Sequence, residues 1–278
     1  MITIKDLTFW YSRKNRTFES LNLKMDDGHI YGLLGKNGAG KTTLLKLICG
    51  LSFPKSGEAM IDNRKPGKRD YKLLSEIFLV PEEIYVPSMK ASKFAEIYGE
   101  FYPGFDLSQF LEYLDRFEVD KNQNLSHLSH GQKKKVMIAF ALACNTRYLF
   151  LDEPTNGLDI PAKATLRKMI ASSFAEEKTI ILSTHQVRDL QTLIDSAIIL
   201  ADRHIILNQP LEKIGQKLSF SHQVQSPAQG EELFSTSSEL GPAVITTNHS
   251  GIAGDVDLET LFLASVSIPE KIGTFFNQ

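Results

Sequence analysis

The chain contains the stretch Gly35-Lys36-Asn37-Gly38-Ala39-Gly40-Lys41-Thr42, which reads G-x-x-x-x-G-K-T. Glycines allow a loop to wrap so closely that backbone N–H groups point inward at phosphate oxygens. In such a loop Lys41 supplies a point charge for the outer phosphates, and the hydroxyl of Thr42 is placed to ligate Mg²⁺. The pattern therefore predicts a phosphate-binding P-loop.

The segments on either side of this loop support that prediction. An apolar run of a strand's length, residues 30–34, precedes it, and residues 41–51 follow with leucines and an isoleucine at helical spacing. A loop that joins a strand to a helix aims the N-terminus of the helix at a bound anion. We therefore expect a nucleotide site where this strand ends.

The composition is that of a globular protein with one large or two unequal domains. The 278 residues are 42% hydrophobic and 23% charged, an ordinary balance for such a chain. A formal net charge of −2 argues against a predominantly basic nucleic-acid binder, so we expect no nucleic acid partner. Cys49 and Cys144 sit in apolar stretches and are expected to be buried, reduced thiols.

Neither a secretory signal nor a membrane span is predicted. Residues 1–6 lack the long apolar region of a signal peptide. No apolar run approaches the roughly 18 residues that are needed to cross a bilayer. We therefore expect a cytoplasmic protein that acts at a membrane only through the membrane domain of another protein.

Strand-like and helix-like segments alternate along most of the chain. Alternation over residues 1–25 predicts antiparallel strands joined by a polar turn at residues 12–16. Later strands alternate with helices, among them a helix predicted over residues 186–194. This order predicts an α/β fold with a mainly parallel core sheet, an antiparallel N-terminal β-subdomain, and a helical insertion over about residues 88–145.

The last part of the chain is more polar than the rest. We predict a strand over residues 243–246 and an amphipathic helix over residues 257–264. Residues 211–278 are therefore expected to form a small C-terminal α/β appendage, separate from a nucleotide-binding domain over residues 1–210.

Two adjacent carboxylates, Asp152 and Glu153, follow the apolar strand 148–151. Open α/β sheets bind ligands where their strands end. In P-loop proteins an Asp at this point helps to hold Mg²⁺, so we assign that role to Asp152. Glu153 is well placed to take a proton from an attacking water molecule, as a general base.

Further motifs carry a family resemblance. The stretch Leu128-Ser129-His130-Gly131-Gln132 precedes a helix. Together with the P-loop, Asp152-Glu153-Pro154-Thr155, Gly157-Leu158-Asp159 and Ser183-Thr184-His185, it resembles an ABC-transporter ATPase over residues 1–210, in the family's motif order.

The resemblance implies ATP and Mg²⁺ as cofactors and assigns a role to each matching residue. The catalytic residues would be Glu153, His185 and Lys41. The Mg²⁺ ligands would be Thr42, Asp152 and Glu82. The nucleotide-binding residues would be Tyr11, Gly35, Lys36, Asn37, Gly38, Ala39, Gly40, Lys41, Thr42, Thr43, Ser129, Gly131, Gln132 and Asp159.

Some of these residues would act between two subunits. In the family the segment matching Ser129 and Gly131 contacts the γ-phosphate bound to the partner subunit, and Asp159 matches a loop that crosses the dimer interface. Asp159 also suits an ordinary helix N-cap. His185 resembles the family's switch histidine, which contacts the γ-phosphate and positions water.

Tyr11 resembles the aromatic residue that stacks on the adenine ring. Phe9 or Trp10 could substitute, because stacking needs only a flat π-face, and the phase of the strand decides between them. We favour Tyr11.

The chain departs from the family pattern at two positions. Glu82 stands where the family has glutamine near the Mg²⁺, and it adds a negative charge beside the phosphates. His130 replaces the first of two glycines, which is either harmless or alters closure of the site. The run Lys133-Lys134-Lys135 starts the following helix; an anionic partner could bind it, but we expect a solvated helix face.

The resemblance implies the ATP-binding and hydrolysing subunit of a transporter. A second ATP-binding subunit and separately encoded integral membrane permease subunits would be its partners, which would place it on the cytoplasmic face of the cell membrane. Residues 98–103 and 257–262 resemble the bacterial exporter group (ABC-2 type). Two alternatives are a soluble ABC-type ATPase that acts on ribosomes or DNA, and a regulatory binding module with a degenerate site.

Overall fold

The computed structural model describes residues 1–12, 15–222, 231–238 and 241–276. Its strands, in chain order, are β1 (Ile2–Ser12), β2 (Asn15–Met25), β3 (Ile30–Leu34), β4 (Ser56–Ile61), β5 (Ile77–Val80), β6 (Tyr148–Asp152), β7 (Thr179–Thr184), β8 (Ser196–Ala201), β9 (His204–Pro210), β10 (Leu218–Ser221), β11 (Glu232–Ser238) and β12 (Gly241–Thr247). The α-helices are α1 (Lys41–Ile48), α2 (Tyr71–Leu74), α3 (Ala91–Gly99), α4 (Leu107–Arg116), α5 (His130–Ala143), α6 (Ile160–Ser173), α7 (Leu211–Lys217), α8 (Leu258–Ser267) and α9 (Pro269–Phe276).

The central sheet has the strand order β5-β6-β7-β3-β8-β9. All neighbouring pairs are parallel except β8 and β9, which form an antiparallel hairpin. Strands β3, β6, β7 and β8 are buried at every residue. Apolar side chains can point to both faces of these strands because both faces are covered. The predicted, mainly parallel core sheet is confirmed.

The N-terminal sheet is antiparallel, with the order β2-β1-β4. The inward face of β1 carries Ile2, Ile4, Leu7 and Phe9, which share one buried cluster with the leucines of α1. The alternation in the sequence therefore reflects a strand with one buried face. Strands β1 and β2 pair as predicted, from Ser12 opposite Asn15 onward, and residues 13 and 14 of the predicted turn lie outside the described residues.

Helices α3, α4 and α5 form the predicted helical insertion. Its core is aromatic: the ring of Phe140 on α5 lies 4.9 Å from that of Phe94 and 5.2 Å from that of Phe105. The same ring also contacts Phe78 on β5, at 5.7 Å. The insertion is thereby packed onto the central sheet through large apolar contacts.

The C-terminal part contains a second antiparallel sheet, β10-β12-β11, with α7, α8 and α9. The predicted strand and helix are observed as β12 and α8, whereas β10, β11, α7 and α9 were not predicted. Helix α8 packs against β8, and α9 packs against β9. The buried Leu261 and Ile272 join the same apolar cluster as the central sheet. The domain boundary at residue 210 stays a prediction.

The helix predicted over residues 186–194 was wrong. Only Val187–Asp189 is helical, as a single turn of 3₁₀ helix, and residues 190–193 form turns. The carbonyl oxygen of Asp189 accepts a hydrogen bond from Arg167 on α6 (3.0 Å), and its carboxylate accepts one from Lys163 (2.6 Å). These contacts with α6 bind a carbonyl that a continuing helix would need for its own N–H groups.

Within the described ranges, no helix combines the length and the apolar character that crossing a bilayer requires.

Candidate active site

A cavity of about 650 Å³ lies at the edge of the central sheet where β3, β5, β6 and β7 end. Parallel strands deliver the residues that follow them to one edge, which explains why distant motifs meet here. The cavity is lined by Tyr11, Thr17, Asn37, Gly38, Gly40, Lys41, Thr42, Thr43, Glu82, Glu153, Asn156, His185 and Gln186.

The P-loop forms one wall of this cavity. Gly38 and Gly40 have φ angles of +79° and +109°, a left-handed backbone that glycine adopts without strain. A Cβ atom at Gly40 would also lie 2.8 Å from the ring of Phe18. No side chain caps the N-terminus of α1, which begins at Lys41. The amide groups of this first turn are therefore suited to an anion.

Three of the predicted P-loop residues, Gly35, Lys36 and Ala39, do not line the cavity. The carbonyl oxygens of Gly35 and Lys36 accept hydrogen bonds from Nζ of Lys41, at 2.8 and 3.4 Å. The N–H of Ala39 donates to the carbonyl of Lys36 (3.1 Å). These residues therefore shape the loop and hold its lysine.

Three oxygen-bearing side chains meet the P-loop from neighbouring strands. The hydroxyl of Thr42 donates to a carboxylate oxygen of Asp152 (2.6 Å), and the hydroxyl of Ser183 donates to the other. Glu82 lines the same cavity and accepts a hydrogen bond from the side-chain amide of Asn156 (3.1 Å). Hydroxyl and carboxylate oxygens are the donors that Mg²⁺ prefers.

This donor set fits a magnesium ion that is shared with a bound phosphate. Among the residues that the structure describes, no three His, Cys, Asp or Glu side chains form a metal cluster of their own. Mg²⁺ characteristically uses one or two carboxylates together with substrate phosphates and water. Thr42, Asp152 and Glu82 match that requirement.

Glu153 has the most constrained position in the site. Its φ angle is +46°, which is unusual for a residue other than glycine. Its N–H faces both the carbonyl and the hydroxyl oxygen of Ser183, each at 3.1 Å. Strained backbone of this kind clusters at functional sites.

The carboxylate of Glu153 lies between two basic groups. One oxygen is 3.2 Å from Nζ of Lys41, and both side chains are almost completely buried. The same oxygen is 2.9 Å from Nδ1 of His185. The geometry of that second contact is not that of a hydrogen bond. Glu153 thus contacts both of the other predicted catalytic residues.

Tyr11 is the aromatic residue of β1 that faces the cavity. It is 68% exposed, whereas Phe9 is 6% exposed and belongs to the core. The rings of Phe9 and Tyr11 meet edge to face at 4.9 Å, while Trp10 points elsewhere, beside Arg16. The hydroxyl of Tyr11 is 3.4 Å from that of Thr43. Exposure therefore selects Tyr11 for the predicted stacking role, which stays a prediction.

The predicted signature residues lie outside this cavity, at the N-terminus of α5. The side chain of Ser129 accepts from the N–H of Gln132 (3.2 Å), and the side chain of Gln132 accepts from the N–H of Ser129 (3.0 Å). This reciprocal capping box fixes the start of α5. A Cβ atom at Gly131 would lie 2.6 Å from the carbonyl oxygen of Gly157, so α5 approaches the turn after Glu153 closely.

Asp159 has the N-cap position that the sequence also allowed. Its carboxylate accepts from the N–H of Ala162 (2.8 Å) at the start of α6. This hydrogen bond and the nearby Lys135 hold the pKa of Asp159 below its usual value. The side chain is 63% exposed, and its predicted role at a dimer interface stays a prediction.

The expectation of a solvated lysine run was wrong for Lys134. This side chain is completely buried, and its Nζ donates to the carbonyl oxygen of Glu153 (2.9 Å). Burial lowers its pKa, although the carboxylates of Glu82 and Glu153 oppose that shift. Helical register alone does not identify it, because Lys134 and Lys135 each stand four residues before a buried residue, Ile138 and Ala139.

Sequence reasoning also missed Asn156 and gave Ser183 no role of its own. Asn156 connects the segment after β6 to Glu82, and Ser183 connects β7 to both Asp152 and Glu153. Asn156 lies between two of the named motifs, and Ser183 belongs to a third. Their partners lie on other strands, so spacing along the chain does not identify them.

Comparison with known proteins agrees with this geometry. The ABC transporter family matches residues 18–156. The chain is 30% identical over 224 residues to the ABC transporter ATP-binding protein NatA of Bacillus subtilis (strain 168), covering 77% of this chain and 91% of NatA. It is also 30% identical over 208 residues to the SkfA peptide export ATP-binding protein SkfE of the same organism, covering 73% and 86%.

A solved structure shares the fold as well. A dimeric ATP-binding cassette in a post-hydrolysis state, bound to ADP and Pi, superposes with a TM-score of 0.65 at 26% identity, over 76% of this chain and 98% of that one. The resemblance drawn from the motifs and the P-loop NTPase fold are confirmed, as is the assignment to ABC-type ATPases. The chain belongs to the ABC transporter family.

Proposed function

We propose that this chain binds and hydrolyses ATP as a subunit of an ABC transporter and energises a separately encoded membrane permease. One observation carries the proposal. The cavity at the sheet edge brings the P-loop together with Glu153, His185 and Glu82, which come from three other strands. A phosphate cradle, oxygen ligands for a metal ion and a group that takes the proton of the attacking water are the parts that phosphoryl transfer needs.

In this proposal the chain's own residues divide the work of hydrolysis. The P-loop amides and Lys41 bind the β- and γ-phosphates, and Tyr11 stacks on the adenine ring. Glu153 accepts a proton from the attacking water while the oxygen of that water bonds to the γ-phosphorus. The bond from that phosphorus to ADP breaks, so ADP and phosphate are the products. His185, beside Glu153, orients the water and contacts the γ-phosphate.

The oxygens of Thr42, Asp152 and Glu82 would hold Mg²⁺ in this site. When bound, that ion neutralises charge on the outer phosphates. Glu82 brings a full negative charge where the family pattern has a neutral amide. Because of this charge, ATP binding and hydrolysis at this site should depend more strongly on Mg²⁺ than they would with a glutamine at position 82.

Two such subunits would sandwich two nucleotides. The related cassette of known structure is dimeric. In this chain Ser129, Gly131 and Gln132 lie at an exposed helix start away from their own cavity. A helix N-terminus favours an anion. We assign these residues to the γ-phosphate held by the partner subunit, with Asp159 at the interface between the two subunits.

The helical insertion and the neighbouring core offer a surface for the permease. A groove of about 920 Å³ runs between them and is lined by Tyr71 and Phe101, which are 74% and 67% exposed. Tyr85, after Glu82, is 87% exposed. Aromatic side chains are enriched at protein interfaces. The groove lies where β5 and β6 begin, beside Glu76 and Arg147. The surface around Tyr85 and Glu82, at the other end of β5, is the one that would couple permease movement to the nucleotide site at the cytoplasmic face of the membrane.

Export is the direction that we favour, within the ABC-2 type. The support is the name of one relative, a peptide export ATP-binding protein at 30% identity, and the motif likeness over residues 98–103 and 257–262. The transported molecule would be chosen by the permease, so its identity would follow from that partner.

A pull-down from native membranes tests the proposal. A tagged copy of the full chain is expressed in its own organism, the membranes are extracted gently, and the co-purifying proteins are identified. We expect a polytopic membrane protein in fixed ratio and Mg²⁺-dependent ATP turnover in the complex. Recovery with ribosomes or DNA, and no membrane protein, would contradict the transport role. Absence of turnover in the intact complex would instead favour a regulatory module.

A further inference from the structure

Lys134 is a buried cation whose ammonium group bonds a backbone carbonyl. It lies in the second turn of α5, is completely shielded from solvent, and donates to the carbonyl oxygen of Glu153 at 2.9 Å. Burial of an ammonium group is costly unless it is paired or hydrogen-bonded. An apolar side chain would fill this space without that cost. The presence of a lysine therefore has to be explained by its hydrogen bond to Glu153.

The reason lies in the backbone of Glu153. Its left-handed φ of +46° is unfavourable for a residue with a Cβ atom and persists only if neighbouring groups hold it. The N–H of Glu153 is held by Ser183, and its carbonyl accepts from the N–H of Asn156 (3.2 Å) as well as from Lys134. The bond from Lys134 is charge-assisted, and such bonds are the stronger kind. The donor of this bond lies on α5, whereas the N–H of Asn156 belongs to the same turn as Glu153.

Helix α5 touches the turn after Glu153 at further points on the same face. A Cβ atom at Gly131 would lie 2.6 Å from the carbonyl oxygen of Gly157, and one at Gly157 would lie 3.4 Å from Nδ1 of His130. His130 and Lys134 are four residues apart, so they lie one helical turn apart on one face. If α5 moves along its axis, the turn 153–157 must therefore move with it.

We propose that Lys134 is a positioning residue that holds the backbone of Glu153 and ties the signature helix α5 to the general base of the same chain. This inference rests on the proposed function, which gives Glu153 the proton and places the start of α5 on the partner's nucleotide. When Ser129 contacts the nucleotide of the partner subunit, that contact is then transmitted through α5 to Glu153, which acts on the nucleotide of its own subunit.

Three variants of the full chain test this role: Lys134→Met, Lys134→Gln and Lys133→Met. Methionine follows the lysine chain as far as Cε and carries no donor, and glutamine places an uncharged N–H donor one atom short of Nζ. Lys133 is the half-buried neighbour in the same lysine run. We expect Lys134→Met to lower kcat for ATP by about 10²-fold, the size expected when a catalytic group is misplaced by about 1 Å. KM should stay within a few-fold of wild type. Lys134→Gln should retain more than a tenth of the wild-type kcat, and Lys133→Met all of it.

A second measurement separates positioning from folding. If Lys134 acts through Glu153, adding Lys134→Met to Glu153→Gln should not lower turnover further, because the group it positions is already disabled. A further loss of about 10²-fold in the double variant would overturn the inference. A wild-type kcat in Lys134→Met would also overturn it and would leave the proposed function standing. A wild-type chain without ATP turnover would overturn both.

Discussion

Replacement of Glu153 by glutamine removes one charge from the cavity and keeps the shape of the side chain. The carboxylate is 5% exposed and lies 3.2 Å from Nζ of Lys41. At that separation the attraction is about 5 kcal/mol for an effective dielectric constant of about 20. Removing the carboxylate also leaves the ammonium group of Lys41 buried without its counter-charge, which typically costs about 3–5 kcal/mol, although its hydrogen bonds to the carbonyls of Gly35 and Lys36 remain. We therefore expect Glu153→Gln to fold with a lower melting temperature than the wild type.

The effect on catalysis is separate from the effect on stability. Glutamine cannot accept the proton of the attacking water, and a positioned general base contributes about 10²–10⁴-fold to the rate. This range corresponds to about 3–5 kcal/mol of transition-state stabilisation. ATP binding should persist, because the P-loop amides and the hydroxyl of Thr42 are unchanged. Lys41 loses its carboxylate partner and remains available to the phosphates.

Steady-state ATP hydrolysis and equilibrium nucleotide binding, measured on the same preparations, show whether Glu153 acts in catalysis or in binding. Glu177→Gln is the matched control, because Glu177 is an exposed glutamate in the loop before β7. We expect kcat to fall by about 10²-fold or more in Glu153→Gln only, with ATP affinity retained. Near-normal turnover would refute the assignment of the base. Loss of ATP affinity with unchanged kcat would show that Glu153 shapes the nucleotide cavity instead.

Three further predictions concern binding, packing and pH. Tyr11→Ala should raise KM for ATP about tenfold at near-constant kcat, in line with about 1–3 kcal/mol per stacked base, while Tyr11→Phe should not; equal KM values in both variants would contradict adenine stacking. Gly131→Ala should lower both turnover and melting temperature, because its Cβ would meet the carbonyl of Gly157 at 2.6 Å, whereas Gly254→Ala meets nothing within 4 Å and is the control. The carboxyl group of the Asp159 cap has a lowered pKa, so the stabilisation from its charge is present above about pH 4 and is lost as the pH falls through the folded-state pKa. The melting temperatures of Asp159→Asn and the wild type should therefore converge in acid. A difference in melting temperature that widens in acid would contradict this role of the Asp159 carboxylate.

Much of the fold could be predicted because its signals are local. The apolar strands that end at Val80, Asp152 and Thr184 are short and bounded by polar residues, and the structure keeps all three. The segment 186–194 failed because its apolar spacing is compatible with a helix, while contacts with α6 bind the carbonyl of Asp189. Likewise, β10 and β11 depend on pairing with β12 across the sequence, which no local pattern shows.

The sequence by itself determined the P-loop and the strand-end carboxylates, because phosphate binding and metal ligation need particular residue types at short, fixed spacings. Only the tertiary structure decided which aromatic of β1 faces the cavity and which lysine of the run 133–135 is buried. Those outcomes depend on strand phase and helix packing, which come from contacts between segments far apart in the chain. Lys134 and Glu153 are 19 positions apart, and only the packing of α5 against the turn after β6 makes the lysine part of the site.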